Sequence, residues 1–275
     1  MTKPVLSISN ASLTFGDRTL WSKLNLEVQP HEFIAIIGSN GSGKTTLLKA
    51  ILGQLPLAEG SIKVQGRSVR NKRGQRGNGR VGYIPQNRAM DAGLPLRGRD
   101  LLHLGLDGHR FGLPHLPFSK ASREHKRRVT RMLEAVGATE YANKKVGSLS
   151  GGELQRLRVG QAVIGEPCLI LADEPLSALD LHQQRNIAEL LNRERSEHDA
   201  AVLFVTHDVN PVLDMVDRVL YLANGKFSIG TPDEVLRSDV LSELYGTPVD
   251  VVRNQGRIVV VGTHEHDHHP DEEWR

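Results

Sequence analysis

The sequence has one cysteine, no long apolar run and little net charge. The single thiol, Cys168, rules out an internal disulfide and favours a reducing compartment. No apolar run reaches the roughly 20 residues that a membrane-spanning helix needs, and residues 1–4 lack the apolar core of a secretory signal. We therefore expect a protein that stays in the cytosol unless a partner tethers it.

The composition is that of a globular protein, with 39% hydrophobic and 24% charged residues among 275. A formal net charge of +3 is too small to argue for a nucleic-acid partner. Residues 67–80 are basic, rich in glycine and free of acids, which predicts a solvated loop between strands. A phosphate or lipid-surface contact is the alternative for that loop. Cys168 begins an apolar run and is predicted to be a buried structural thiol.

Short apolar runs and helical periodicity alternate along much of the chain, which predicts an α/β fold with a parallel core sheet wrapped by helices. Runs 33–37, 169–172 and 202–205 are apolar nearly throughout, as expected for strands covered on both faces. The remaining predicted strands are 5–8, 24–28, 62–64, 81–84 and 219–222. Helices are predicted after Gly43, after Leu181 and around 211–216. The strand-rich part before about residue 80 predicts an additional antiparallel sheet.

The strand pattern is absent between residues 86 and 147, where helices are predicted at 101–104 and 122–136. We predict a helical subdomain at about 87–165 within a single domain of residues 1–262. Residues 248–252 and 257–261 predict a C-terminal hairpin around a turn at 254–256. Residues 263–275 form a tail rich in histidine and acids that we expect to be flexible.

Residues 38–45 read GSNGSGKT and lie between an apolar strand and a helical run. This context is typical of a phosphate-binding loop, in which glycines let backbone N–H groups surround phosphate oxygens at a helix N-terminus. Lys44 is expected to reach the β- and γ-phosphates, and the Thr45 hydroxyl to meet Mg²⁺. The nucleotide-binding residues predicted here are Gly38, Ser39, Asn40, Gly41, Ser42, Gly43, Lys44, Thr45 and Thr46.

A second apolar strand, 169–172, ends in the acid pair Asp173 and Glu174. Ligands of parallel sheets bind at the carboxyl ends of the strands. Asp173 is predicted to hold Mg²⁺, directly or through water. Glu174 is the candidate general base for the attacking water, or the group that orients it.

The octapeptide LSGGELQR at 149–156, together with the two motifs above, resembles the nucleotide-binding subunit of the ABC (ATP-binding cassette) family. The resemblance covers nearly the whole chain and implies an ATPase that uses ATP and Mg²⁺. It assigns Gln86, in YIPQ, to the loop that contacts Mg²⁺ and water, and His207, in FVTHD, to the switch that contacts the γ-phosphate. It assigns Asp180 to the loop after the acid pair. Phe15 lies where the family stacks an aromatic ring on adenine, with core packing of Phe15 as the alternative.

The resemblance also implies the stoichiometry. In the family, the counterparts of Ser150, Gly151 and Gly152 begin a helix that points at the γ-phosphate held by another subunit. A chain with one cassette therefore predicts a head-to-tail homodimer that encloses two ATP molecules. The other expected partners are an integral membrane permease and, indirectly, an extracytoplasmic solute-binding protein.

Two features point to divalent metal as the cargo. The segment 81–95, which contains Gln86, is similar to the stretch after the glutamine loop in zinc and manganese importer ATPases. Residues 96–100 (LRGRD) depart from the usual pattern of those ATPases. The tail 263–275 alternates imidazoles and carboxylates, which suits Zn²⁺, or else is a solvated polar tail without useful affinity. One alternative is an importer ATPase of the same kind whose cargo is an iron chelate or haem. The other is a soluble ABC ATPase that takes no part in transport. No nucleic acid is expected.

Overall fold

The computed structural model describes residues 3–15, 18–69, 81–86, 94–107 and 120–262, with only the backbone of Phe15, Asp107, Lys120 and Ala121. The strands are β1 (Leu6–Phe15), β2 (Arg18–Val28), β3 (Phe33–Gly38), β4 (Glu59–Val64), β5 (Arg67–Ser68), β6 (Val81–Ile84), β7 (Leu169–Asp173), β8 (Ala201–Val205), β9 (Arg218–Ala223), β10 (Lys226–Gly230), β11 (Val249–Asn254) and β12 (Arg257–Gly262). The α-helices are α1 (Lys44–Ile51), α2 (Gly98–Asp107), α3 (Lys120–Ala135), α4 (Gly151–Val163), α5 (Leu181–Glu197), α6 (Pro232–Val235) and α7 (Ser238–Tyr245). Short 3₁₀ helices are formed by Thr139–Tyr141, Val146–Ser148 and Asn210–Met215.

The core of the molecule is a six-stranded sheet in the order β10-β9-β3-β8-β7-β6. Its strands are parallel except β10, which pairs antiparallel with β9. Strands β7 and β8 are buried along their whole length, because helices and the second sheet cover both faces. The predicted α/β fold with a parallel core sheet is confirmed.

A four-stranded antiparallel sheet, in the order β2-β1-β4-β5, covers one side of α1. From Leu24 to Val28, alternate residues of β2 face the interior, as a half-buried strand requires. Trp21 is fully buried there, in one apolar cluster with Leu47 and Leu48 of α1. The predicted N-terminal antiparallel sheet is therefore present, and α1 is held between the two sheets.

The stretch between β6 and β7 is helical where the structure describes it, as predicted. Leu102 of α2 and Leu157 of α4 are fully buried, and Val129 of α3 is nearly so, in one cluster with the other face of the core sheet. This packing connects the helical part of the chain to β7. The predicted basic loop is described only up to residue 69, and residues 87–93 lie outside the described part.

The structure differs from the sequence prediction in three details. The segment around 211–216 is a 3₁₀ helix rather than an α-helix, and Pro211 occupies its first turn. Strand β10 was not predicted, because its residues are half-exposed. Helices α6 and α7 were not predicted, because with 4 and 8 residues they are too short to show a clear helical period. Cys168 is half-buried rather than buried.

The predicted C-terminal hairpin is formed by β11 and β12, with Val252 directly opposite Val259. Helix α7 anchors it, since the backbone N–H groups of Val249 and Val251 donate to Ser242 Oγ and Ser238 Oγ at 2.9 Å each. The tail after Gly262 lies outside the described residues. Within the described part, no helix combines the length and apolar character needed to span a bilayer.

Candidate nucleotide site

The predicted phosphate-binding loop leaves the core sheet at the end of β3 and enters α1. Gly38, Gly41 and Gly43 have φ values of 148°, 76° and 96°, a backbone region that side chains disfavour. The positive φ values turn the loop so that it ends at the N-terminus of α1. A helix N-terminus preceded by such a loop is suited to bind anions.

Gly38 is required by sterics as well as by its backbone angle. A Cβ at this position would lie 2.0 Å from the carbonyl oxygen of Leu222, because Gly38 pairs with Leu222 across β3 and β9. The close approach of β9 therefore fixes where the loop leaves the sheet.

We expect Gly38→Ala to lower the free energy of unfolding by about 2–4 kcal/mol, since β9 must shift to admit the methyl group. The same shift should weaken nucleotide binding, because it displaces the loop. Thermal unfolding and fluorescent-nucleotide titration measure the two effects. Gly66→Ala is the control, since Gly66 also has a positive φ, of 75°, but no atom lies within 4 Å of its added Cβ. Equal stability of the two variants would contradict the steric argument.

Lys44 is buried at the start of α1, and its ammonium donates to the carbonyl oxygens of Gly38 at 2.7 Å and Ser39 at 2.9 Å. Burial lowers its pKa, and the carboxylates of Glu174 and Asp173 oppose that decrease. The ammonium is thus held inside the loop, close to both acids. A phosphate group would offer it stronger, charged acceptors than the two carbonyls.

Asp173 and Thr45 form a pair of oxygen donors beside Lys44. The Thr45 hydroxyl donates to Asp173 Oδ1 at 3.0 Å, while the buried Oδ2 has no hydrogen-bond partner among the described residues. Burial raises the pKa of Asp173, the Thr45 hydroxyl opposes the increase, and Glu174 adds to it. A hydroxyl and a buried carboxylate with a free oxygen suit Mg²⁺, which binds few protein ligands and keeps several waters. The residues therefore fit the predicted Mg²⁺ site.

Glu174 and His207 face each other at the ends of β7 and β8. Glu174 Oε2 lies 3.6 Å from His207 Nδ1, and the His207 side chain is 66% exposed against 18% for Glu174. Glu174 has a φ of 48°, held by its backbone N–H donating to Val205 at 3.0 Å. A non-glycine residue with positive φ is strained, and such strain is common in active sites. The structure thus brings together the acid pair, the histidine and the phosphate loop.

Ser150 caps α4, and Gly152 in the first turn of that helix lies close to the segment that leads to Asp180. The Ser150 hydroxyl accepts from Glu153 N at 3.2 Å while Glu153 Oε2 accepts from Ser150 N at 2.8 Å, which is a complete capping box. A Cβ on Gly152 would lie 3.1 Å from Ala178 O. Asp180 itself caps α5 by accepting from Gln183 N at 2.8 Å. Within the described residues, no hydrogen bond or ion pair joins Ser150, Gly151 or Gly152 to the phosphate loop.

For three other predicted site residues, the structure gives the position, and for two of them also the exposure. Gln86 is exposed and follows β6 by two residues, and Thr46 is half-buried in α1. The backbone of Phe15 pairs with Arg18 at the β1–β2 turn. The side chain of Phe15 lies outside the described residues, so its stacking on adenine remains a prediction.

Gln155 is a residue that the sequence prediction overlooked. It is fully buried, and its amide donates to Pro175 O at 3.3 Å and Pro85 O at 3.5 Å. It therefore ties α4 to the segments that contain Glu174 and Gln86. Its position within the octapeptide was the available signal, but its partners lie too far along the chain to be read from spacing.

A phosphate-binding loop with a buried lysine, beside a threonine–aspartate pair at the carboxyl ends of parallel strands, defines a phosphate-loop nucleoside triphosphatase. The ABC transporter family pattern matches residues 21–177, which is more than half of the chain. The chain therefore belongs to the ABC transporter family, and it is an ATPase of that family.

Relatives over almost the full length have more specific names. The chain is 31% identical over 259 residues to the manganese transport system ATP-binding protein MntB of Halalkalibacterium halodurans, covering 94% of this chain and 98% of that protein. It is 35% identical over 231 residues to the zinc import ATP-binding protein ZnuC of Cereibacter sphaeroides, covering 84% of each. Among solved structures, the dimeric post-hydrolysis state of the ATP-binding cassette MJ0796 bound to ADP and Pi is similar, with 26% identity and a TM-score of 0.70. That match covers 82% of this chain and 98% of the other.

Proposed function

We propose that this ATPase is the ATP-hydrolysing subunit of an importer for divalent metal ions, zinc or manganese. The observation that carries the proposal is the similarity to MntB along 94% of the chain, together with the similarity to ZnuC. The tail 263–275, with alternating histidine and acidic residues, is consistent with a metal cargo.

The binding step uses the phosphate loop. The ammonium of Lys44 exchanges the carbonyls of Gly38 and Ser39 for the β- and γ-phosphate oxygens, while the backbone N–H groups of the loop surround them. Thr45 and Asp173 would hold Mg²⁺, with Gln86 reaching it from the end of β6. Bound there, the ion neutralises the charge that develops on the phosphates.

The hydrolytic step uses Glu174 and His207. Glu174 accepts a proton from, or orients, the water that attacks the γ-phosphorus, and the bond to the β-phosphate oxygen breaks to give ADP and phosphate. His207, which lies 3.6 Å from Glu174, would donate to the γ-phosphate and so stabilise the charge that grows there. Phe15 supplies the ring that stacks on adenine.

We further propose that the active form is a head-to-tail homodimer. Three residues lie at the exposed N-terminus of α4: Ser150, Gly151 and Gly152. Together with Asp180 of the same copy, they would contact the γ-phosphate that is bound to the other copy. The partners are an integral membrane permease and, through it, an extracytoplasmic solute-binding protein. The chain would lie peripherally on the cytoplasmic face of the cell membrane.

The test is metal content in cells in which Glu174→Gln replaces the native chain. Under zinc or manganese limitation, elemental analysis should find a selective fall of several-fold in one of these metals. The size of the fall in each metal identifies the cargo. Glu243→Gln, an exposed glutamate of α7, is the matched control and should leave both metals at the native level.

Two other outcomes would overturn the cargo assignment. A fall confined to iron would favour an importer of iron chelates or haem. If the content of every metal is unchanged while Glu174→Gln is still defective in ATP hydrolysis, the proposal of metal import is wrong and the ATPase activity still stands.

A further inference from the structure

The loop that contains His207 is joined to the C-terminal hairpin by one side chain, Asn210. The amide of Asn210 donates from Nδ2 to Ile258 O at 2.9 Å, and Asn210 Oδ1 accepts from Ile258 N at 2.8 Å. Both polar groups of one residue in β12 are therefore bound by one amide. Such a paired contact fixes direction as well as distance.

Asn210 is also hydrogen-bonded to the loop that contains His207, here called the histidine loop (residues 206–208). Asp208 Oδ1 accepts from Asn210 N at 2.9 Å and from Asn210 Nδ2 at 2.7 Å. The Thr206 hydroxyl donates to Asp208 O at 2.6 Å and accepts from Asp208 N at 3.1 Å. His207 lies between Thr206 and Asp208 in the chain, so these hydrogen bonds hold the loop on both sides of His207.

The hairpin itself is a firm support for this contact. Ile258 is 6% exposed and packs into the main apolar cluster. On the adjoining strand, Arg253 makes an ion pair with Asp233 at 2.7 Å, in addition to the two serine contacts with α7. The hairpin is thus attached to the cassette independently of Asn210.

The hairpin also lies beside the nucleotide site. Val260 and Gly262 of β12 line a cleft of about 730 Å³ together with Gly38, Ser39 and His207. The exposed imidazole of His207 has one described polar contact, with Glu174 at 3.6 Å. The position of the imidazole therefore depends on the loop backbone, which Asn210 fixes to β12.

We propose that Asn210 is a positioning residue for hydrolysis, and that the C-terminal hairpin acts through it to hold His207 in place over the γ-phosphate. The inference rests on the proposed role of His207. It assigns to β11 and β12, which lie outside the family match at 21–177, an influence on turnover that is exerted through Asn210.

The test is a double-mutant cycle on the purified protein, with ATP turnover, KM for ATP and thermal unfolding measured for each variant. Asn210→Ala should lower kcat about 10-fold with KM changed less than about 2-fold, because a displaced catalytic group slows chemistry and leaves binding intact. In a His207→Ala background, the same substitution should change kcat less than about 2-fold, since the group it positions is absent. Asn210→Asp places a carboxylate oxygen where Nδ2 now donates to Ile258 O and Asp208 Oδ1, and this repulsion should lower kcat at least as much as Asn210→Ala does.

The control is Asn25→Ala, which removes the hydrogen bonds from Asn25 Nδ2 to Asn10 Oδ1 at 3.1 Å and to Lys23 O at 2.9 Å, at an exposed site of the antiparallel sheet that is not bonded to the histidine loop. Its kcat should equal the native value. Equal fold-losses for Asn210→Ala in the native and His207→Ala backgrounds would overturn the inference, because they indicate a structural role. A native kcat for Asn210→Ala would overturn it too. A native kcat for His207→Ala would instead refute the proposed function of His207.

Discussion

Replacing Glu174 with glutamine should abolish ATP hydrolysis while leaving ATP binding intact. The amide keeps the shape of the side chain but cannot accept a proton from water, so turnover should fall by about 10²–10⁴-fold. Lys44, Thr45 and Asp173 are untouched, and the dissociation constant for ATP should stay within about 2-fold of the native value. Phosphate release and nucleotide titration measure the two quantities.

The same variant should accumulate as an ATP-bound dimer. Hydrolysis would normally end the closed state, so a chain that binds ATP and cannot hydrolyse it stays closed. Light scattering should therefore report twice the monomer mass with ATP and a smaller mass without it. Glu243→Gln, the exposed control, should hydrolyse ATP at the native rate. Native turnover by Glu174→Gln would show that another group activates the water.

Replacing Lys44 should act on the opposite step, the binding of nucleotide. Lys44 is buried, and its ammonium is expected to donate charged hydrogen bonds to the β- and γ-phosphate oxygens. Because these bonds are lost, Lys44→Ala should weaken ATP binding by about 10- to 100-fold. The loss should be smaller for ADP, because ADP lacks the γ-phosphate. Hydrolysis should vanish at ATP concentrations that saturate the native protein.

Packing must be separated from charge in this variant, since Lys44 also satisfies the carbonyls of Gly38 and Ser39. Lys44→Met retains most of the side-chain volume and should weaken binding as strongly as Lys44→Ala does. Lys63→Ala removes an exposed lysine from β4 and should leave binding unchanged. Native affinity in Lys44→Met would mean that the loop backbone alone holds the phosphates.

The nucleotide site was predictable because its signals are local. The loop 38–45 combines glycines, a lysine and a threonine between a buried strand and a helix, and the structure has that order of elements. The acid pair Asp173–Glu174 follows an apolar run of the length that a buried strand requires. Parallel strands end at one edge of the sheet, so both motifs had to meet there.

What could not be predicted are contacts between distant parts of the chain. Gln155 reaches Pro85 across 70 positions, and Asn210 reaches Ile258 across 48. Each is a polar residue whose neighbours in sequence say nothing about its partner in space. Strand β10 escaped prediction for a different reason, since its residues are half-exposed and show no clean alternation.

Hydrolysis by this ATPase is expected to need two copies of the chain. The decisive measurement is phosphate release per chain at saturating Mg²⁺ and ATP over a series of protein concentrations, with light scattering on the same samples. We predict that the rate per chain rises with the fraction of dimer and approaches zero where only monomer is present. A full rate per chain in samples that contain only monomer would contradict the account.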